Sequence, residues 1–127
     1  MAEKKLVYIA SPYAGDIMEN IKTAQEACRY AVEQGAVPIA VHLMYPQFLD
    51  DGSPKDREVG LQMGLRVLGV CDELWLYGDR VSSGMQKELE AAERLSIPVR
   101  RISSQELAGS LAQEAGQVFS GMGMSHC

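Results

Sequence analysis

Leu6-Val7-Tyr8-Ile9-Ala10-Ser11-Pro12-Tyr13-Ala14-Gly15-Asp16 carries the chain from an unbroken apolar segment into small and polar residues. Directly after it, Ile17, Ile21, Ala24, Cys28 and Val32 recur at steps of four, three, four and four, drawing one apolar stripe along a helix. The opening run is too short for a helix and lacks period-two alternation, so it reads as a strand covered on both faces. That strand–turn–helix unit repeats. Further short β-rich runs occupy 37–41, 74–77 and 97–99. Between them Val59, Met63, Val67 and Val70, flanked by Leu61, Leu65 and Leu68, draw a wide stripe that predicts a well-buried second helix. Met85, Leu89, Ala92 and Leu95 draw a third.

Strand and helix alternate as β-α-β-α-β-α-β, which predicts a parallel sheet with right-handed crossovers and helices on both faces. The fold class is a flavodoxin- or Rossmann-like three-layer α/β sandwich of at least four strands. Pro38 and Pro98 fall in or at the start of the second and fourth strands, and proline is tolerated at sheet edges and strand starts. A strand order of 2-1-3-4 places both strands at the edges. The α/β domain is expected over 1–102, a C-terminal helix over 103–119 with Leu107, Leu111, Ala115 and Val118 on one face, and a disordered tail over 120–127.

At 127 residues the chain is long enough for one core without staples. Its net charge of −5 argues against gripping duplex nucleic acid through phosphates, though not against one nucleotide in a local pocket. Cys28, Cys71 and Cys127 show no zinc-ligand or CxxC spacing, and the first two read as buried thiols. No secretory segment follows Met1, and no apolar run approaches the ~20 residues that span a bilayer. A cytoplasmic protein without membrane partners is expected.

Open parallel sheets bind ligands outside the carboxyl ends of their strands, where strand order reverses. Here the loops after the first and third strands meet at that point. The first offers Ser11, Pro12, Tyr13 and Gly15 ahead of a helix start, where backbone N–H groups can face an anion or hydroxyl, although neither GxGxxG nor P-loop spacing is present. The second holds Asp79, Ser82, Ser83 and Gly84; either serine can cap the third helix, and Glu88 then follows just over one turn in. Asp56-Arg57-Glu58 opens the second helix at the same end of the sheet, with Asp56 also suited to a plain helix-dipole role. His42 follows the second strand, facing the pocket or packing beside Tyr45. The long connection 43–53 suits a pocket lid, or equally a surface loop tied down by Tyr45 and Phe48.

These motifs resemble the nucleoside 2-deoxyribosyltransferase superfamily, which includes the 2'-deoxynucleoside 5'-phosphate N-hydrolases. The opening YIASPYAGD is similar to its first-strand motif. Ser82-Ser83-Gly84-Met85-Gln86-Lys87-Glu88 resembles the S-x-G-x-x-x-E of the hydrolases, and Asp72 stands at the family's usual distance before that serine. Coverage runs from about Leu6 to Ile102, and a small bacterial and phage branch of unassigned function is nearer still. The resemblance implies Glu88 as the nucleophile, Tyr8 as its orienting residue, and Ser82 and Gly84 as contacts to a sugar 5'-phosphate. It implies a nucleoside or nucleotide substrate, no metal or organic cofactor, and a homodimer or higher homo-oligomer. Two positions depart from it. Ala14 stands where the hydrolases carry a phosphate-binding arginine, and Gly64, eight residues before Asp72, stands where the family carries an aspartate. Asp56 is the candidate to replace that aspartate. The leading expectation is an N-glycosidic-bond hydrolase or deoxyribosyltransferase; the alternatives are a non-catalytic nucleotide-binding module of the same fold and an interaction protein with no small ligand.

Overall fold

The computed structural model of the chain describes residues 4–12, 17–50, 52–107 and 109. Four strands, β1 (Leu6–Ala10), β2 (Val37–Ile39), β3 (Glu73–Tyr77) and β4 (Val99–Ile102), form one all-parallel sheet in the order β2-β1-β3-β4. Three helices connect them: α1 (Ile17–Glu33), α2 (Pro54–Leu68) and α3 (Ser83–Arg94). The expected fold class and strand order are those observed.

Both central strands divide their side chains between two cores, as a strand's alternating Cβ directions require. Val7, Ile9, Trp75 and Tyr77 face α1, where they pack with Ala27, Tyr30 and Ala31. Tyr8, Ala10, Leu74 and Leu76 face the other way, onto Leu68 of α2 and Met85, Ala91 and Ala92 of α3. Tyr8 therefore stands on the side of the sheet where α2 and α3 meet. That placement decides the site.

Helix ends show why the segments stop where they do. α1 closes with Gly35 at φ 82°, its N–H bonding Val32 and that of Ala36 reaching back to Ala31, a Schellman end that favours glycine. α3 repeats the motif with Ser96 at φ 59°: the Ser96 N–H bonds Glu93 and that of Ile97 bonds Ala92. At the start of α2, the Ser53 hydroxyl accepts the Asp56 N–H at 3.3 Å and Pro54 occupies the first turn.

Several boundaries and stripes differ from expectation. The fourth strand runs over Val99–Ile102 rather than 97–99, because Ile97 is consumed by the α3 end. The second strand stops at Ile39, and the chain turns instead through two short 3₁₀ segments, Val41–Leu43 and Tyr45–Gln47. On α1 the buried line is Ala24, Ala27 and Ala31 with Tyr30, whereas Val32 is exposed. The expectation of a well-buried α2 is overturned: Val59 is exposed, Val70 lies beyond the helix at 58% exposure, and only Gly64 and Leu68 are fully buried. Within the stripe, Leu65 and Val67 pack partly buried against the core beside Leu68, whereas Leu61 lines an open pocket. Leu95, assigned to the third apolar stripe, caps α3 in an exposed position.

Residues 104–107 make a helical turn whose Leu107 is buried beside Ile102. The rest of the expected C-terminal helix beyond Gly109, the tail and Cys127 lie outside the described residues. Among those residues no helix is long and apolar enough to cross a membrane.

Candidate active site

Ser82 sets the geometry of α3. Its hydroxyl accepts the Met85 N–H at 3.2 Å, starting the helix directly beyond the carboxyl end of β3. Helical spacing then turns Ser83, Gly84, Lys87 and Glu88 towards one surface. Glu88 is only 4% exposed, a depth rarely reached by a carboxylate without partners. Its partner is Tyr8, whose hydroxyl donates to Glu88 Oε2 at 2.6 Å across 80 residues of sequence. Glu88 Oε1 has no hydrogen-bond partner among the described residues. His42 Nε2 stands 3.9 Å from Glu88 Oε2.

Burial pushes the Glu88 carboxyl up to about 7, with the Tyr8 hydrogen bond opposing the rise. The Tyr8 phenol is itself held far above its ordinary range, by burial first and by the neighbouring carboxylate second. Glu88 therefore changes charge near neutrality while Tyr8 stays a donor throughout.

Tyr8, Glu88 and Gly64 line a pocket of about 320 Å³. The 3₁₀ segments supply one wall through Val41, His42 and Tyr45, continued by Leu49 just beyond them, and α2 supplies another through Asp56, Arg57, Glu58 and Leu61. Asp56 Oδ2 also accepts the Asp50 N–H at 2.7 Å, so the same carboxylate pins the connection to the helix. Glu58 is bonded by the Gln62 amide at 2.8 Å. The Tyr45 and Phe48 rings lie 5.8 Å apart, yet only Tyr45 faces the pocket; Phe48 is exposed. Both readings of the long connection thus hold in part.

The expected residues divide into three groups. Tyr8, His42, Asp56, Ser83, Gly84 and Glu88 share the pocket. Four others are placed elsewhere. Ser82 is engaged as the α3 cap; Ser11 is buried at the end of β1 with its hydroxyl unpartnered among the described residues; Pro12 packs near Gly78; and Asp79 accepts the Ser104 hydroxyl at 2.8 Å. Tyr13 and Gly15 lie outside the described residues. Asp72 is structural: its carboxylate accepts the Leu6 N–H at 2.7 Å, at the opposite end of the strands from Glu88. Sequence reasoning missed Lys87, which the four-residue step from Ser83 would have placed, and Leu61, which was assigned to a core. Among the described residues no three His, Cys, Asp or Glu side chains are grouped to hold a metal ion.

A buried carboxylate that ionises near pH 7, held through one oxygen and without a hydrogen-bond partner at the other among the described residues, is suited to nucleophilic or acid–base work. Among solved structures, the chain is similar to a 2-deoxyribosyltransferase from the psychrotolerant bacterium Bacillus psychrosaccharolyticus. The identity is 23% and the TM-score 0.63, over 77% of this chain and 72% of that one. This likeness establishes a shared fold. No curated protein matches the chain. A family model does match, over residues 5–102, and the chain belongs to the family described as a domain of unknown function, DUF7768.

Proposed function

We propose that the protein cleaves or transfers the N-glycosidic bond of a nucleoside or nucleoside 5'-monophosphate, with Glu88 as the nucleophile. The observation that carries this reading is the buried Tyr8–Glu88 pair at the pocket wall, which holds Oε2 and leaves Oε1 without a partner. The structural relative is described as a biocatalyst for the synthesis of nucleosides, which makes this bond the natural candidate.

In the proposed reaction the ionised Glu88 carboxylate attacks the anomeric carbon as the carbon–nitrogen bond breaks. The base leaves with the bonding electrons and takes up a proton, for which Asp56 is the candidate donor. Water or a second base then attacks the same carbon and releases the carboxylate, so one difficult step becomes two easier ones. Tyr8 keeps the carboxylate oriented in both steps. Leu49, Leu61 and Tyr45 offer apolar surface suited to a planar base, and Ser83, Gly84, Lys87 and Arg57 offer polar contacts to the sugar side. No step draws on a metal or organic cofactor.

Purified protein incubated with deoxynucleosides and their 5'-monophosphates, with free base followed by chromatography, tests the proposal. Base release by wild type but not by Glu88→Ala is the expected result. Equal release by both proteins removes Glu88 from the mechanism. Ligand-induced stabilisation without release from any compound favours the non-catalytic binding module, a reading already consistent with Ala14 and Gly64 at their positions.

A further inference from the structure

Gly64 sits in the interior of α2, where glycine weakens a helix relative to alanine. An alanine-sized side chain is nonetheless not free to enter. A Cβ at this position would stand 2.9 Å from the Tyr8 hydroxyl oxygen and 3.7 Å from Val41 Cγ2. The Tyr8 ring is fully buried in the core shared with Leu68 and Leu74, so its tip has little room to yield. That tip is also the atom bonded to Glu88.

The other glycines on the pocket wall differ. A Cβ at Gly60 would meet Leu49 Cδ1 at 3.4 Å, an ordinary contact, and one at Gly84 would meet nothing within 4 Å. Of the three, only Gly64 abuts an atom of the Tyr8–Glu88 pair.

We propose that Gly64 is a positioning residue: its missing side chain keeps open the space through which the Tyr8 hydroxyl reaches Glu88. A methyl group there displaces the phenol tip, and the displacement lengthens or breaks the bond to Oε2. The carboxylate then loses the Tyr8 hydrogen bond, which favours its charged form. This assignment rests on the reading of Glu88 as the reacting group, but its test follows ionisation and not turnover, so the two can fail separately.

The test is the ¹³C-detected titration of the Glu88 carboxyl in wild type, Tyr8→Phe, Gly64→Ala and the double variant. Gly60→Ala serves as the control for a methyl group on the same helix. The other ionisable groups of the pocket, His42, Tyr45, Asp56, Arg57, Glu58 and Lys87, are identical in all five proteins. Tyr8→Phe is expected to raise the midpoint by about one pH unit, the strength of a hydrogen bond to a charged acceptor. Gly64→Ala is expected to raise it in the same direction by at least half as much. Added to Tyr8→Phe, it should change nothing, since no hydroxyl remains to displace. Gly60→Ala should leave the midpoint where it is.

A Gly64→Ala midpoint equal to wild type overturns the proposal, as does an equal shift in both backgrounds. If Gly64→Ala alone does not fold, the double variant decides: it has room for the methyl group and should fold like Tyr8→Phe. Its failure to fold where Tyr8→Phe folds would assign Gly64 to helix packing instead.

Discussion

Replacing Glu88 by glutamine should stabilise the protein, and by an amount that depends on pH in a defined way. The carboxyl is raised by burial from an ordinary value of 4.5 to about 7. Below 4.5 the folded and unfolded chains both carry the proton, and the burial has no electrostatic penalty. Between 4.5 and 7 the unfolded chain releases the proton while the folded one retains it, so stability falls as pH rises. Above 7 the full penalty applies, about 3 kcal/mol at 1.36 kcal/mol per pH unit. Glutamine has nearly the same shape, can accept the Tyr8 hydrogen bond, and never ionises. Its advantage over wild type should therefore be near zero at pH 4.5 and approach about 3 kcal/mol at pH 8.5.

Urea denaturation of both proteins at pH 4.5, 6 and 8.5 measures this difference. Other titrating groups, such as Glu73, whose carboxyl is held low by its bond to Lys5, occur in both proteins and cancel in the comparison. A constant difference across the three pH values would refute the reasoning, because the effect must follow the charge of Glu88. A wild type that gains stability over Glu88→Gln as pH rises would show that an unrecognised cation compensates the carboxylate.

Three further outcomes follow from the same geometry. Ser96→Gly should stabilise the protein by about 0.5–1 kcal/mol in urea denaturation, since Ser96 holds the left-handed position that Gly35 fills in the matching end of α1. Ser82→Ala should cost about 1 kcal/mol by losing the α3 cap and Ser82→Asp should retain most of that; a neutral Ser82→Ala would exclude the cap as an anchor of Glu88. Under the proposed mechanism, kcat/KM for base release should climb with pH through about 7, as the free Glu88 ionises, and a rate that is flat from pH 5.5 to 8.5 would separate the reaction from this carboxylate.

The topology was legible because it is written in features that do not depend on distant contacts. Four short apolar runs, three helical stripes, a proline in one edge strand and another directly before the other suffice for an order of β2-β1-β3-β4. Boundaries failed where a residue's role is tertiary. The β4 strand was misplaced because it contains Arg100 and Arg101, which look unlike a strand; on an edge such charges are tolerated, and Arg100 lies over the Trp75 ring at 4.8 Å. Tyr30 was absent from the predicted α1 stripe although it packs against Trp75 and Tyr77, because the stripe was drawn from aliphatic spacing alone. In α2 an apolar pattern was read as core when part of it lines a cavity. Periodicity identifies which face is apolar, but not whether protein or an open pocket lies against it. At the site, the spacing from Ser82 to Glu88 was visible, whereas the meeting of Glu88 with Tyr8 depends on which face of β1 points towards α3; a strand of uniform apolarity does not reveal that, and only the family resemblance implied it.

The placement of Gly64 and Asp56 bears on how this pocket relates to the chemistry proposed for it. The resemblance implies an acidic residue where Gly64 stands, and in this protein the Tyr8 hydroxyl fills the space beside that position. Asp56 lies eight residues earlier on the same helix, which moves it about 12 Å along the axis. Its carboxylate therefore cannot do the same work from the same place; it belongs to the other end of the α2 wall, where it also fixes the Asp50 backbone. The two halves of the pocket are thus differently constrained. Tyr8 and Glu88, on β1 and α3, are held together by a 2.6 Å hydrogen bond, with Tyr8 set in the core. The far end of the α2 wall, away from the Leu68 end that packs in the core, carries a helix cap and a carboxylate-to-backbone bond, both with solvent access. Under the proposed mechanism, attack on a sugar would require the first half, while recognition of the leaving base and of any phosphate would fall to the second. A substrate different from that of the structural relative would accordingly be expressed in α2 and the 3₁₀ wall, with the Tyr8–Glu88 pair unchanged.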